Sequence, residues 1–271
     1  HSQNMSRSGE SLTVPQAQAL LQEIRDSEQP ARWYIGTLLG PRQSEVLGLA
    51  WDRVDLAARR IRVDRKLYRL SWQHGCAQSK RGPSCGAKRG ADCPARYGGG
   101  LFLGEPKTPT SIRALPMPDI IYDALVDQWE RHRLWEVQDG NRATWTAPDG
   151  EEYDLVFKQR NGRPPNAHHD WDDFKALLRQ AGIAQGTVKD MRHTAATMLL
   201  VQGVDPRVVM EIMGWSQMSM LKRYQHVLDE LRVDAVDKVA DALTTPAPES
   251  TPPPSGGNVV GLDAWRQARG L

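Results

Sequence analysis

Apolar residues recur at helical spacing along most of this chain. Leu20, Leu21 and Ile24 form such a stripe after Thr13, and Thr13 with Gln16 three residues later matches a capping box, so a helix is predicted to begin here. The same pattern, punctuated by Gly and Pro, predicts further helical segments at Trp33–Leu39, from Arg42 to before Trp51, Asp119 to about Glu136, about His169 to Ala181, Lys189 to Gln202, Asp205 to Gly214, and around Leu221 and Tyr224.

Three stretches have strand-like patterns. Ile61, Val63 and Leu67 suit one strand, Ser111–Leu115 suits another before Pro116, and Leu155–Phe157 suits a short third strand. Because helical segments dominate, we expect a mainly α fold with a small antiparallel β-sheet, that is, an α+β class.

Composition shifts suggest where domains begin and end. Residues 1–10 resemble a tag or linker remnant, and 11–243 carry the periodic patterns of one domain, interrupted at about 71–100 by a Gly- and Cys-rich insertion. Residues 244–271 open with a run rich in Pro, Ser and Thr, which predicts an extended linker and a C-terminal tail with a short apolar helix.

Overall composition is that of a soluble globular protein with a sizeable core. Of 271 residues, 39% are hydrophobic and 25% are charged, and no apolar run is long enough to span a membrane. The three cysteines cannot all pair within the chain, which favours a reducing cytoplasm.

Charge is unevenly distributed although the formal net charge is only +2. Between Arg59 and Lys107, twelve Lys and Arg residues face only three Asp and Glu residues. Such a segment attracts a phosphate backbone, so it indicates nucleic-acid binding, with a solvated basic loop as the alternative.

The insertion contains four residues that commonly bind zinc. His74, Cys76, Cys85 and Cys93 lie within about 20 residues, and three cysteines with one histidine form an accepted structural zinc set. Their spacing is wider than that of a zinc finger, so two hypotheses stay open, a structural zinc site and a disordered basic insertion.

Four separated motifs occur in order along the chain. They are Leu39–Leu49 with Arg42 and Glu45; Pro106-Lys107-Thr108 before Ile112–Leu115; Lys189–Thr194 with Arg192 and His193; and Met213–Ser216 with Tyr224 nine residues after Trp215. Together they resemble the tyrosine recombinase (phage integrase) family, from about Ser11 to Val227, and the insertion resembles those of some actinobacterial phage integrases. A phosphodiester under attack by an alcohol accumulates negative charge, and rigid arginine forks suit that charge.

The resemblance implies catalytic roles for six residues. Arg42 and Arg192 would clamp the scissile phosphate, and Lys107 would protonate the departing 5′ oxygen. Lys189 stands where the family usually has histidine, which leaves the general base undecided. Trp215, at a position where many members carry histidine, would donate an indole N–H, and Tyr224 would be the nucleophile.

Three more residues are expected to support the site. Glu45 would hold the Arg42 guanidinium, one helical turn away. His193 is expected to pack or hydrogen-bond locally, and His226 to contact the same phosphate.

The resemblance also implies an activity and its partners. A 3′-phosphotyrosine intermediate conserves bond energy, so catalysis would need no cofactor, and a site-specific recombinase for integration or excision of a mobile element is expected. Its partners would be double-stranded DNA attachment sites, three further copies in a homotetramer, and an accessory directionality factor. It would act in the cytoplasm, associated with the nucleoid and without a membrane.

Two other functions remain open from the sequence. One is DNA relaxation like that of a type IB topoisomerase, and the other is a non-enzymatic, zinc-stabilised DNA-binding protein. We also expect a DNA-clamping domain to be missing ahead of Thr13, and the tail either to dock on a neighbouring protomer or to be disordered.

Overall fold

A computed structural model describes residues 11–80, 82–106 and 108–244. Contacts divide the chain into two compact units, 1–228 and 229–271. The predicted remnant at 1–10, Lys107 and the predicted tail helix lie outside the described residues. None of the helices in the described part is both long and apolar enough to span a lipid bilayer.

Helices make up most of the described chain. The α-helices are α1 (Val14–Arg25), α2 (Pro30–Tyr34), α3 (Gln43–Leu47), α4 (Asp119–Asp139), α5 (Ala167–Gln180), α6 (Val188–Val201), α7 (Pro206–Met213) and α8 (Gln225–Thr244). A π-helical turn, Ile35–Leu39, continues α2, and a 3₁₀ segment, Met218–Tyr224, precedes α8.

The strands are short and antiparallel. They are β1 (Val54–Asp55), β2 (Arg60–Val63), β3 (Lys66–Leu70), β4 (Gln78–Ser79), β5 (Gly82–Pro83), β6 (Gly100–Gly104), β7 (Arg113–Pro116), β8 (Trp145–Thr146) and β9 (Glu152–Tyr153). One sheet has the order β1-β2-β7, while β3 pairs with β6, β4 with β5 and β8 with β9. The predicted fold class is therefore confirmed.

Buried apolar side chains among the described residues of the first unit include a large core and a smaller one. Leu20 of α1, Leu125 of α4 and Phe174 of α5 are almost fully buried in the large core. Leu67 of β3 and Leu103 of β6 belong to the smaller core, where they lie with Leu47, Ala50, Trp145, Ala147 and Leu155. The two-stranded ribbon β3–β6 is thus anchored by its inner face, and the insertion leaves from its far end.

Several predicted elements are confirmed and two are wrong. The capping box of Thr13 and Gln16 is present, and α7 begins at Pro206 and ends at Gly214 as expected. The single strand through Ile61 and Leu67 is instead two strands in different sheets. Asp64 lies at the break and accepts hydrogen bonds from Arg53 and Arg62 there.

The strand predicted at Leu155–Phe157 is also wrong. Its three apolar residues are fully buried, but only Leu155 forms a bridge, with Ala50. Burial alone accounts for the apolar run, because a short apolar run has no periodicity that distinguishes a strand from a buried loop.

Candidate active site

One pocket of about 550 Å³ gathers five of the six predicted catalytic residues and His193. Its wall includes Arg42, Lys189, Arg192, Trp215 and Tyr224. Four other polar or charged side chains complete the polar part of the wall, namely Gln43, His193, Ser219 and Arg223. Four cationic side chains from α3, α6 and the 3₁₀ segment therefore face a single space, which suits a polyanionic group such as phosphate.

Arg42 is held at the start of α3 by Glu45. The Glu45 carboxylate accepts from the Arg42 side chain at Nη1 (2.7 Å) and from its backbone N–H (2.9 Å). Glu45 is almost fully buried, whereas the Arg42 side chain is 43% exposed. The guanidinium is thus fixed at one edge and open to the pocket at the other.

Arg113 of β7 is a second partner of Glu45, and the sequence reading missed it. Its Nη2 donates to Glu45 at 3.0 Å, its Nε to the carbonyl of Ile212 at 2.6 Å, and its Nη1 to the carbonyl of Ser111 at 2.8 Å. Arg113 thereby joins β7, α3 and the end of α7. The only signal in the sequence was a charged residue inside an otherwise apolar strand pattern.

Arg192 is fixed by two backbone carbonyls rather than by a carboxylate. Its Nη1 donates to the carbonyl of Gly40 at 2.5 Å, and its Nη2 donates to the carbonyl of Met213. Gly40 follows the π-helical turn with φ +63°, a left-handed conformation that favours glycine. The π turn and this glycine turn the chain so that its carbonyl meets Arg192 and Arg42 can begin α3.

Tyr224 lies at the end of the 3₁₀ segment and stacks against Trp215. The ring centroids are 5.6 Å apart with an interplanar angle of 26°. Trp215 follows Gly214, which ends α7 in a left-handed conformation (φ 63°), and the Arg192 guanidinium lies 5.7 Å from the Trp215 ring centroid. Tyr224 is only 3% exposed, so its ring is held in one place.

His193 contacts the Tyr224 hydroxyl directly. His193 Nδ1 lies 2.8 Å from the phenolic oxygen, and His193 Nε2 lies 2.6 Å from Arg223 Nη1. His193 was expected to pack or hydrogen-bond locally, and its contact in the structure is with the predicted nucleophile, 31 residues further along the chain. Arg223, directly before Tyr224, was not singled out in the sequence.

Burial dominates the electrostatics of the pocket. It raises the pKa of Tyr224, against a partial opposing effect of Arg223 and Arg192. It also lowers the pKa of Arg192 to about 10, with Arg42 adding to the effect, and lowers the pKa of His193 together with Arg223. At neutral pH the pocket therefore combines cationic arginines with a neutral histidine and a protonated phenol.

The pKa of Glu45 is set by its partners and not by its burial. Burial raises its pKa, but Arg113 and the hydrogen bonds from Arg42 and Arg113 outweigh that effect, so its pKa is lowered overall. Glu45 therefore stays ionised as the shared anchor of two guanidiniums.

The three remaining predicted site residues are Lys189, Lys107 and His226. Lys189 is exposed and lines the pocket from the first turn of α6, one turn before Arg192. Lys107 lies outside the described residues, and the side chain of His226 does as well.

The four predicted metal ligands form a second cluster, in the insertion. One ligand atom from each of His74, Cys76, Cys85 and Cys93 lies within 4.8 Å of the others. His74 Nδ1 is 3.4 Å from Cys85 Sγ and 3.9 Å from Cys76 Sγ. A backbone N–H of Cys85, the largest of several causes, lowers the pKa of the Cys76 thiol to about 6.

Comparison with known proteins agrees with these features. A sequence model of the phage integrase family matches residues 101–230. An integrase of Saccharopolyspora erythraea is 33% identical over 258 residues, covering 85% of this chain and 57% of that protein. A XerC-like tyrosine recombinase of Caldanaerobacter subterraneus is 26% identical over 205 residues, covering 74% and 46%. The chain thus spans about half the length of these relatives.

Solved structures share the fold. The Tn1549 transposon integrase in complex with transposon right end DNA aligns with a TM-score of 0.57 and 24% identity, covering 85% of this chain and 66% of that one. XerA recombinase aligns with a TM-score of 0.54 and 18% identity, covering 86% and 66%. Fold and sequence similarity agree with the resemblance seen in the motifs: residues 101–230 match the phage integrase family, and the chain carries a tyrosine recombinase catalytic domain.

Proposed function

We propose that this protein is a site-specific DNA recombinase that cleaves and rejoins strands through a 3′-phosphotyrosine at Tyr224, within a catalytic domain at 11–243. The observation that carries the proposal is the pocket lined together by Arg42, Lys189, Arg192, Trp215 and Tyr224. A phosphate in this pocket would meet two anchored guanidiniums beside a fixed phenolic oxygen.

The proposed chemistry is an in-line displacement at phosphorus. The Tyr224 oxygen forms a bond to phosphorus while the bond to the 5′ oxygen breaks, and Lys107 supplies the proton for that leaving oxygen. Arg42 and Arg192 stabilise the charge that develops on the non-bridging oxygens. Glu45 supports Arg42, Trp215 donates its indole N–H to the phosphate, and His226 is a further phosphate contact. The reverse attack by a 5′-hydroxyl rejoins the strand, so no cofactor takes part in the reaction.

The partners follow from the same proposal. The Tn1549 integrase structures contain transposon DNA, which supports double-stranded DNA attachment sites as the substrate here. We propose that the protein recombines as a homotetramer on DNA in the cytoplasm, at the nucleoid, with an accessory directionality factor for a mobile element. Topoisomerase-like relaxation and non-enzymatic DNA binding have less support, since the recombinase relatives match most of the chain.

A nicked suicide DNA substrate tests the proposal. The full protein should form a complex that resists denaturation, and Tyr224→Phe should form none. Tyr122→Phe is the matched control, because Tyr122 lies on α4 outside the pocket lining, and it should form the complex like the wild type. A covalent complex with Tyr224→Phe would contradict the proposal.

We also propose that the cluster in the insertion holds a structural Zn²⁺ ion. In a tetrahedral site with Zn–S bonds near 2.3 Å and Zn–N bonds near 2.0 Å, ligand atoms stand about 3.5–3.8 Å apart. The distances from His74 Nδ1 to the sulfurs of Cys85 and Cys76, 3.4 and 3.9 Å, lie near these values. Backbone N–H groups of Cys85 and Ala87 donate to the sulfurs of Cys76 and Cys85, as is common around thiolate ligands.

The insertion also needs a cross-link for stability. Among the described side chains from 71 to 98, Cys93 alone is buried. A segment that buries so little apolar surface gains its folding energy from a metal in many small domains. Binding zinc would therefore fold the insertion, and basic residues around it would face DNA backbone.

Metal content and cobalt substitution test the zinc site. The purified full chain should carry one zinc ion, and replacement by Co²⁺ should give the absorption typical of a tetrahedral thiolate site. Cys93→Ser should lose both signals, whereas Ser71→Ala, at an exposed position outside the proposed ligand set, should keep them. Metal-free wild-type protein that takes up no Co²⁺ would contradict the proposal.

A further inference from the structure

The contacts of His193 assign its two ring nitrogens different roles. Arg223 Nη1, 2.6 Å from His193 Nε2, belongs to a permanently protonated guanidinium that can only donate. His193 Nε2 must therefore accept, and the ring proton of a neutral His193 must sit on Nδ1. That proton points at the Tyr224 hydroxyl oxygen, 2.8 Å away.

We propose that His193 is a catalytic residue that donates a hydrogen bond from Nδ1 to the Tyr224 oxygen, and that Arg223 is a positioning residue that fixes this tautomer. The proposal rests on the proposed function, because the contact matters only if Tyr224 attacks phosphorus. It excludes His193 as the base that removes the phenolic proton in this arrangement, since Nδ1 has no free lone pair.

The donor role of His193 is consistent with both strand cleavage and strand rejoining. During cleavage the Tyr224 oxygen bonds to phosphorus, the bond from phosphorus to the 5′ oxygen breaks, and the phenolic proton passes to solvent water in the pocket. Lys107 supplies a proton to the 5′ oxygen, so charge balances. During rejoining the phenolate is the leaving group, and the His193 N–H stabilises it as it departs. His193 keeps its own proton throughout.

The charges around His193 favour the neutral ring that this role requires. Burial and Arg223 lower its pKa, and Lys189 and Arg192 on its own helix act in the same direction, opposed by Asp190. On its other side the ring faces Tyr224. A protonated ring would place an N–H group of Nε2 against the Arg223 donor, which would break that contact.

Nitrogen-15 NMR of histidine-labelled full chain tests the tautomer without requiring activity. The His193 signal, assigned by its loss in His193→Asn, should show the proton on Nδ1 near neutral pH. Arg223→Met should give a mixture of tautomers and a higher His193 pKa, while Arg223→Lys, which keeps a donor, should resemble the wild type. A proton found on Nε2 in the wild type would overturn the proposal.

Cleavage of the suicide substrate tests the catalytic role. The amide N–H of Asn lies close to the position of Nδ1, and that of Gln lies close to Nε2, so His193→Asn should keep the donor and His193→Gln should lose it. We expect His193→Asn to stay within about tenfold of the wild type, and His193→Gln and His193→Ala to fall about 10²-fold or more. Unchanged DNA binding and melting temperature would exclude misfolding as the cause.

Two results separate failure of this inference from failure of the proposed function. If the wild type forms no covalent complex, the proposed function fails, and the NMR tautomer still decides the His193 contact. If the wild type cleaves and His193→Gln matches or exceeds His193→Asn, the recombinase function stands and the donor role of His193 is wrong.

Discussion

Glu45 is a buried carboxylate shared by two arginines from different elements. Arg42 is open to the pocket, whereas the Arg113 side chain is 7% exposed and also donates to two carbonyls. Removing one partner of a buried charged pair leaves the other uncompensated, which is more costly than losing a surface ion pair. Arg113 therefore sets both the local stability and the placement of Arg42.

Replacing Arg113 tests this residue. Arg113→Met should lower the free energy of unfolding by about 3 kcal/mol, because Glu45 loses a buried cationic partner. Urea unfolding would measure this, with Arg179→Met on the exposed face of α5 as a control that should change stability by less than about 0.5 kcal/mol.

A double variant measures the coupling energy between Glu45 and Arg113. Glu45→Gln combined with Arg113→Met should cost less than the sum of the two single changes, since the partners contact each other. Strict additivity would mean that the pair contributes no coupling energy.

At the residue scale, the motifs predicted which residues meet but not what holds them. The order and spacing of the motifs pointed to Arg42, Arg192 and Tyr224, and the structure places all three at one pocket. The supports of Arg192 are backbone carbonyls of Gly40 and Met213, which no side-chain pattern encodes. Arg113 and Arg223 were missed for a related reason, because each is defined by a contact that only the fold creates.

At the element scale, the insertion is held close to its own backbone by glycines. A Cβ atom built on Gly90 would lie 1.9 Å from the Trp72 carbonyl oxygen, and one on Gly99 would lie 2.5 Å from the Trp72 Cα. The Arg96 guanidinium covers the Trp72 ring at 4.7 Å from its centroid. The segment therefore packs around Trp72 as well as around the Cys/His cluster.

A substitution at Gly90 should disrupt the insertion and leave the rest of the domain folded. Gly90→Ala clashes with backbone, which cannot move aside like a flexible side chain, so we expect loss of bound zinc and rapid proteolytic cleavage within 71–99. Gly86→Ala is the control: its φ of +71° is strained for alanine, but nothing lies within 4 Å of the new Cβ. Equal zinc retention in both variants would show that the close approach at Gly90 is unimportant.

Elements with strong local signals were predictable, and those defined by tertiary contacts were not. The caps at Thr13 and Gly214 are local chemistry and were placed correctly. The break between β2 and β3 depends on Asp64 meeting Arg53, and the short pair β8–β9 depends on Trp145 packing in the smaller core. Such elements carry too few residues for a period to emerge.

At the scale of the whole molecule, a buried neutral histidine should make stability depend on pH. Burial, with a contribution from Lys158, lowers the pKa of His132 to about 4, and Trp51 donates to its Nδ1 at 3.2 Å. An unfolded chain would protonate this ring near pH 6.5. The free energy of unfolding is therefore unaffected by protonation of His132 above about pH 6.5, and it decreases as the pH falls towards 4, because only the unfolded chain protonates the ring.

Unfolding measured against pH would check this effect. Between about pH 6.5 and 4, His132 should contribute a slope of at most about 1.4 kcal/mol per pH unit, with stability falling as acid is added. His132→Phe should flatten the profile in that window, whereas His169→Gln, at an exposed position on α5, should leave it unchanged. An identical slope in His132→Phe would assign the acid sensitivity to other groups.

The register of the β3–β6 ribbon would allow the insertion to be removed by protein engineering. Leu70 and Gly100 are directly opposed across the ribbon, so the two ends of the intervening segment stand only about 5 Å apart. A two-residue hairpin turn could close that gap. The segment that carries the Cys/His cluster could therefore be excised, or transplanted to another antiparallel hairpin, without changing the spacing of the two strands that it joins.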